Sequence, residues 1–224
     1  TWQWPRAECI QNNSCGLSHQ SPINIETYGV VFDQRMPPLV FSGYEDNLLD
    51  FNVTSDGYTV TVEPGPKDPV RTVKGGALPG VFVFSRIQFH WGSTSSQGSE
   101  HRIDGLTYAM ESHIIHTNQK YVPAEASYYS DGLAILATLY RVSHRGGPGG
   151  RAMAAILSRL SDGRKKRLLS RLSRLLFFSS QQHFPPAHTR LSGFLSPNTS
   201  AFYTYRGSLT MPPCSEAVTW TVFD

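Results

Sequence analysis

Alternation of apolar and polar positions, together with β-branched and aromatic enrichment, dominates the first two thirds of the chain. Tyr58-Thr59-Val60-Thr61-Val62, Val81-Phe82-Val83-Phe84 and Ala134-Ile135-Leu136-Ala137-Thr138-Leu139-Tyr140 predict strands, because β-branched and aromatic side chains suit a pleated, half-buried surface. Ser55-Asp56-Gly57, Pro64-Gly65-Pro66, Gly75-Gly76 and Ser130-Asp131-Gly132 fall between such runs as turn signals, spaced as a large, mostly antiparallel sheet requires. The period changes after Gly146-Gly147-Pro148-Gly149-Gly150. From there Leu168, Leu169, Leu172, Leu175 and Leu176 recur at helical spacing, with Arg167, Arg171 and Arg174 mainly on another face. This predicts one amphipathic helix over roughly residues 152–177.

There is no internal repeat and no long low-complexity tract, and 224 residues with a 39% hydrophobic share suit one domain over residues 1–224. The net charge of +3 is too small to point to nucleic acid. Its distribution says more, since Arg159, Arg164, Lys165, Lys166, Arg167, Arg171 and Arg174 cluster in the helical region. The plain reading is a surface helix with a solvated cationic face. The sharper one is a patch for an acidic glycan, lipid headgroups or an acidic protein partner. No uncharged apolar run reaches the ~18 residues of a transmembrane helix. The start, Thr1-Trp2-Gln3-Trp4-Pro5, lacks the features of a signal peptide, although a signal removed on maturation leaves the same kind of start.

Cys9, Cys15 and Cys214 allow one disulfide and leave one thiol over. Asn12, Asn52 and Asn198 each open the N-x-S/T pattern that accepts glycans. Together these favour a secreted or extracellular protein, because disulfides persist in oxidising compartments.

Candidate chemistry lies in Arg86-Ile87-Gln88-Phe89-His90-Trp91-Gly92 and Tyr108-Ala109-Met110-Glu111-Ser112-His113-Ile114-Ile115-His116. If both are strands, the period of two puts Arg86, Gln88 and His90 on one face, and Glu111, His113 and Ile115 on one face of a neighbour. Two histidines then converge. Spacing alone is a weak metal signal, because a catalytic tetrahedral zinc site takes three protein ligands plus water.

Gln20-Ser21-Pro22-Ile23-Asn24-Ile25, Phe89-His90-Trp91-Gly92, Gly98-Ser99-Glu100-His101 and Gly207-Ser208-Leu209-Thr210-Met211-Pro212-Pro213 resemble the signature segments of the α-carbonic anhydrases, in that family's order and spacing, from about Trp2 to Asp224. The resemblance implies a single α/β domain on a twisted, mostly antiparallel ten-stranded sheet with few surface helices, and an active-site funnel at its centre. It implies carbon dioxide and bicarbonate as the reactants. It also implies zinc held by a His-x-His pair on one strand and a third histidine on its neighbour. Alignment without a gap puts Gln88 at the first ligand position, His90 at the second and His113 at the third. Zinc in such a site lowers the pKa of its bound water to about 7. An amide oxygen is a poorer donor than imidazole, so zinc is expected to be weakly bound or absent.

The same alignment divides the surrounding residues. Arg86, which offers only donors, stands where relatives carry an acceptor that orients the first histidine, whereas Glu111 keeps the acceptor for His113. Thr210 matches the threonine that orients the reactive oxygen and Glu100 the carboxylate that accepts from it. Met211 replaces a small polar residue beside Thr210, and Tyr58 occupies the proton-shuttle position, where a phenol with pKa near 10 is a poor shuttle at neutral pH. Ile115, Ile135, Leu209, Val218 and Trp220 match the apolar pocket wall, and ordinary sheet core accounts for them equally well. Cys214 matches a cysteine that secreted relatives bond to one near the N-terminus, here Cys15, with Cys9 the alternative. The family's last strand, beyond the segment around Trp220, has no counterpart in these residues, so either the protein continues past them or a neighbouring sheet edge is covered in another way. The reading that follows is a carbonic-anhydrase-like secreted domain, catalytically weak or inactive, serving as a recognition or structural module. The alternative is a slowed zinc-dependent carbonate dehydratase with Gln88, His90 and His113 as ligands, and a third reading keeps a metal for structure without turnover.

Overall fold

A computed structural model of the chain describes residues 14–56, 59–142, 150, 152–153, 156 and 189–223. Cys9, Asn12, Tyr58 and the basic stretch from Arg159 to Arg174 lie outside them, as does most of the expected helix. Gly150, Ala152, Met153 and Ile156 are helical, and the last three are buried.

The strands are β1 (Asn24–Ile25), β2 (Val40–Ser42), β3 (Phe51–Ser55), β4 (Val60–Pro64), β5 (Thr72–Lys74), β6 (Phe82–Trp91), β7 (Arg102–Ile103), β8 (Met110–Asn118), β9 (Leu133–Tyr140), β10 (Phe202–Gly207) and β11 (Val218–Phe223). Nine of them form one sheet in the order β10-β11-β9-β8-β6-β4-β3, with β5 also on β6 and β2 on β5. The sheet is antiparallel except where β11 runs parallel to β9. β1 and β7 make a separate parallel pair. Against the ten strands implied by the resemblance, nine lie in the main sheet among the described residues. Among the described residues three single-turn 3-10 helices, Thr27–Gly29, Ala126–Tyr128 and Leu191–Phe194, lie outside it.

Each face of the sheet carries its own apolar layer. Val60, Val62, Ile87, Phe89, Ile114 and Leu136 pack with Met153, Ile156 and Phe194 on one side. Ile25, Ile103, Ile115, Ile135, Val218 and Trp220 pack on the other. β8 sits between β6 and β9 and is buried along its whole length, so its polar residues must find partners inside the protein.

A bulge decides which way the site residues point. Phe84 pairs with His116 and Arg86 with Ile115, which leaves Ser85 as an extra residue in β6. Before the bulge Phe82 and Phe84 face the first layer, and after it Ile87 and Phe89 do. The inserted residue therefore turns Arg86, Gln88 and His90 to the opposite face, where they lie across from Ile115, His113 and Glu111.

The N-terminal segment is strapped to the loop after β10. Cys15 and Cys214 form a disulfide with a Cα–Cα distance of 4.9 Å, across 199 residues of chain. Around it, Ser14 N–H donates to the Pro213 carbonyl at 2.7 Å, and Ser21 and Ser208 exchange backbone-to-hydroxyl bonds at 2.9 and 3.0 Å. Replacing Cys15 and Cys214 together by serine is expected to lower unfolding stability by about 2–5 kcal/mol, read as a shift in the denaturant midpoint.

On the first-layer side of β8, His116 is fully buried, shares a hydrogen bond with the Tyr44 hydroxyl and has Nδ1 3.3 Å from the Ala134 carbonyl. Burial pushes its pKa down to about 4. The folded chain thus binds this proton less readily than the unfolded chain, whose histidines titrate near 6.5. The stability that neutral His116 contributes is present above about pH 6.5 and is lost as pH falls towards 4, by up to roughly 3 kcal/mol. A thermal-melting series from pH 7 to pH 4 should show this loss, and His116→Gln should flatten the slope.

Candidate functional site

The residues that converge come from β6, β8 and the loop between them. That loop packs so closely that a Cβ on Gly92 would lie 1.8 Å from the Gln97 carbonyl oxygen, and one on Gly98 1.8 Å from that of Ala109. Gly98 and Ser99 both donate backbone N–H groups to the Tyr108 carbonyl, at 2.7 and 2.9 Å, which fixes the following Glu100 and His101 against β8. Glu100 and His101 then reach the same cluster from one turn of chain.

At the centre is Glu111, fully buried. Its Oε1 lies 2.6 Å from His101 Nδ1 and 2.7 Å from His113 Nε2, and its Oε2 accepts the backbone N–H groups of Glu100 and His101, both at 2.8 Å. Burial opposes its ionisation, yet the two imidazoles hold the carboxyl well below the usual carboxylate range. Burial lowers the affinity of His113 for a proton, but Glu111 outweighs this and raises its pKa. On the far side, His101 Nε2 is 2.7 Å from the Tyr205 hydroxyl, which donates to Ser21 Oγ at 2.9 Å. The Trp220 ring stands edge-on to His101 and His113, with centroids 4.7 and 4.9 Å away, and its indole N–H donates to the Ser208 carbonyl at 3.1 Å.

His90 lies beside this cluster, its ring centroid 4.4 Å from that of His113. Its Nδ1 is 3.3 Å from Glu100 Oε1, while its Nε2 is buried with no hydrogen-bond partner among the described residues, and Glu100 Oε2, likewise without a hydrogen bond there, lies 3.8 Å from His113 Nε2. Burial, with His113 adding to it, pushes the His90 pKa down to about 3, so the ring is neutral and its free nitrogen is a bare lone pair or a single N–H. Burial raises the pKa of Glu100, against a hydrogen bond from Thr210 that lowers it. One ligand atom each from His90, Glu100 and His113 lie within 4.8 Å of one another, a spacing that suits a metal ion. With His113 Nε2 taken by Glu111, its Nδ1 is the nitrogen left for a ligand role. The orphaned His90 nitrogen beside it makes the donor set fit zinc in kind, with Gln88, which pairs with His113 across the strands, as the weak member.

The remaining expected residues fall around this cluster. Ile115, Ile135, Val218 and Trp220 are buried in the second apolar layer, Leu209 packs against it, and Met211 is half-buried beside Thr210. Arg86 is half-buried, and burial pushes its guanidinium down from its ordinary pKa, opposed by Glu63. Asn52, on the edge strand β3, and Asn198 are exposed. Sequence reasoning did not single out His101, Tyr205 or Ser21. The available signal was the pairing of Tyr205 with Trp220 and the adjacency of His101 to Glu100, neither of which specifies a contact without the fold.

A family model described as eukaryotic-type carbonic anhydrase matches residues 2–224. Carbonic anhydrase 6 of Canis lupus familiaris is 33% identical over 228 residues, covering 98% of this chain and 62% of that protein. Carbonic anhydrase 1 of Monodelphis domestica is 33% identical over 98% of this chain and 75% of its own length. Carbonic anhydrase 15 of Mus musculus is 35% identical over 94% of this chain and 62% of its own length. The chain thus spans less than two thirds of the length of several of these relatives.

Glu111→Ala would leave two buried imidazoles and two backbone N–H groups without their acceptor. The expected cost is about 3–5 kcal/mol of unfolding free energy, as for removing one partner of a buried ion pair, measured by equilibrium denaturation. A loss below about 1 kcal/mol, the level of an ordinary surface pair, would contradict the role given to this carboxylate.

Proposed function

The chain belongs to the eukaryotic-type carbonic anhydrase family, and from that premise we propose a carbonic-anhydrase-like domain with weak or no turnover that works outside the cell as a recognition or structural module. The observation that carries this reading is Gln88, set directly across from His113 at the position where the resemblance calls for the first of three histidines. A neutral amide there gives zinc one good ligand fewer. Arg86, two residues earlier on the same face, brings a positive charge that opposes a dication. Met211 adds apolar bulk beside Thr210.

When bound in such a site, zinc would supply a hydroxide-like nucleophile near neutral pH. His90, His113 and Gln88 are the residues proposed to hold it. Thr210, bonded to Glu100, would orient the reacting oxygen, and Glu111 would orient the His113 ring. Ile115, Ile135, Leu209, Val218 and Trp220 would keep water from the carbon dioxide side. Tyr58 would be the slow route for the proton.

Those retained residues support the second reading, a slowed carbonate dehydratase acting on carbon dioxide and bicarbonate. The unpartnered Nε2 of His90 favours it specifically, since a buried ring nitrogen without a partner is the kind of atom a metal would satisfy. A metal retained without turnover would satisfy it equally. The extracellular assignment is supported by the Cys15–Cys214 disulfide, and among the described residues no helix is long and apolar enough to cross a membrane. Exposed Asn52 and Asn198, with Asn12, are proposed glycan acceptors. The basic residues between Arg159 and Arg174 are proposed to meet an acidic glycan or protein partner.

Metal analysis and a carbon dioxide hydration assay on the same preparation separate the readings. The expected result is substoichiometric zinc and hydration at background. Gln88→His should then raise zinc affinity about 100-fold or more, since even outer residues of such sites are worth 10–100-fold. Stoichiometric zinc with turnover well above background in the unaltered chain would defeat the non-catalytic reading.

A further inference from the structure

We propose that Arg86, Gln88 and Thr61 form a metal-independent site for a small planar oxyanion, a carboxylate group or hydrogen carbonate, on the open face of β4 and β6. On these strands Val60, Val62, Ile87 and Phe89 turn into the first apolar layer and are at most 1% exposed. Their neighbours Thr61, Glu63, Arg86 and Gln88 therefore share the opposite face, and Thr61 pairs directly with Gln88. The bulge at Ser85 brings Arg86 into this row.

Arg71 and Arg86, both at the β4–β6 side of the sheet, differ in what meets them. Arg71 is buried, with a guanidinium that donates to the carbonyls of Gly43 at 3.0 Å, Pro69 at 3.1 Å and Asn47 at 2.8 Å and pairs with Asp68. Arg86 is half-buried, and among the described residues nothing accepts a hydrogen bond from it or pairs with it within 4.0 Å. The charge that acts on it is that of Glu63, an exposed carboxylate. A guanidinium presents a rigid fork of donors matched to the two oxygens of a carboxylate. Gln88 and Thr61 add an amide and a hydroxyl donor from the adjoining positions. Ile115, opposite Arg86, gives the site an apolar wall that strengthens the pairing.

The His90 end of the row is already occupied by the Glu100 carboxyl group, 3.3 Å from His90 Nδ1 and 3.8 Å from His113 Nε2. Among the described residues the charge that acts on Arg86 is that of the exposed Glu63, so the Arg86 end is the one left open to an anion. This proposal rests on the reading above only in leaving Gln88 unbound to metal.

The test is a titration of the full chain in excess chelator at constant ionic strength, with sodium acetate in one arm and sodium hydrogen carbonate in the other. The readout is the nitrogen-15 resonance of the Arg86 guanidinium and the carbon-13 line of the labelled anion. The expected result is saturable binding in at least one arm. Arg86→Gln should weaken it about tenfold or more, and Glu63→Gln, at an exposed position with little influence on folding, should tighten it severalfold. Saturation in both arms assigns the site to carboxylates at large, and saturation with hydrogen carbonate alone assigns it to that anion. No saturable shift, or equal affinity in Arg86→Gln and the unaltered chain, would overturn the proposal. Because chelator is present throughout, a chain that proved catalytically active would defeat the earlier reading and leave this result standing.

Discussion

Glu111 is a carboxylate with no access to water, and its two oxygens take N–H groups from Glu100 and His101 and face the rings of His101 and His113. A charge taken out of water survives only where fixed donors replace the water, and here the donors come from two places, the strand that carries Glu111 and the loop before it. His113 is two residues away on the same strand. His101 and the Glu100 backbone arrive through the loop pinned by Gly92 and Gly98. Tyr205 and Ser21 extend the chain of bonds to β10 and the N-terminal segment. The register of β8, the close turn of the loop and the strap across the N-terminus are thus all conditions for keeping one carboxylate ionised in the core.

This constraint explains why one half of the site has the residue types of a metal centre whatever the protein does. Changing Glu111, His101 or His113 singly would leave a buried polar atom unmatched. No comparable demand falls on Gln88 or Arg86, which are partly open to solvent on a row whose backs are held by Ile87 and Phe89. Folding therefore constrains His113 and its supporters, and leaves the ligand strand of β6 to function. His90 sits at the boundary, buried enough to be neutral yet with one nitrogen unmatched, so the packing of the fold alone does not account for it.

The strands were legible because of alternation, as in Tyr58 to Val62, and of β-branched or apolar enrichment, as in Ala134 to Tyr140, and four motifs in order carried the family. That Gln88, His90 and His113 share one face followed from period and alignment together, whereas the register that sets Gln88 opposite His113 did not. The bulge at Ser85 did not follow, because alternation reads locally and Phe82 and Phe84 share parity with Arg86, Gln88 and His90 in the sequence but not in space. The partners of Glu111 were half legible. His113 is near in sequence, whereas Tyr205 lies 104 residues from His101, and no local pattern encodes such a contact. Cys15 and Cys9 differ little by spacing, so the choice between them needed the positions of Ser14 and Gln20, both bonded into the loop that holds Cys214.

The loop that carries Thr210 and Met211 is bound to the same strap. Cys214 donates to the Met211 carbonyl at 2.9 Å, and Gln20 bonds the Ser14 and Cys214 carbonyls at 3.0 and 3.4 Å. Thr210 reaches Glu100, while Ser208 bonds Ser21, whose hydroxyl accepts from Tyr205. Two routes therefore run from the disulfide-closed segment to the histidines, one through Thr210 and Glu100 and one through Ser21, Tyr205 and His101. A domain built this way gains rigidity around its central cluster from contacts that do not require turnover. That rigidity would hold the neighbouring open face of β6 in a fixed shape, which is what recognition of a ligand by a few side chains demands.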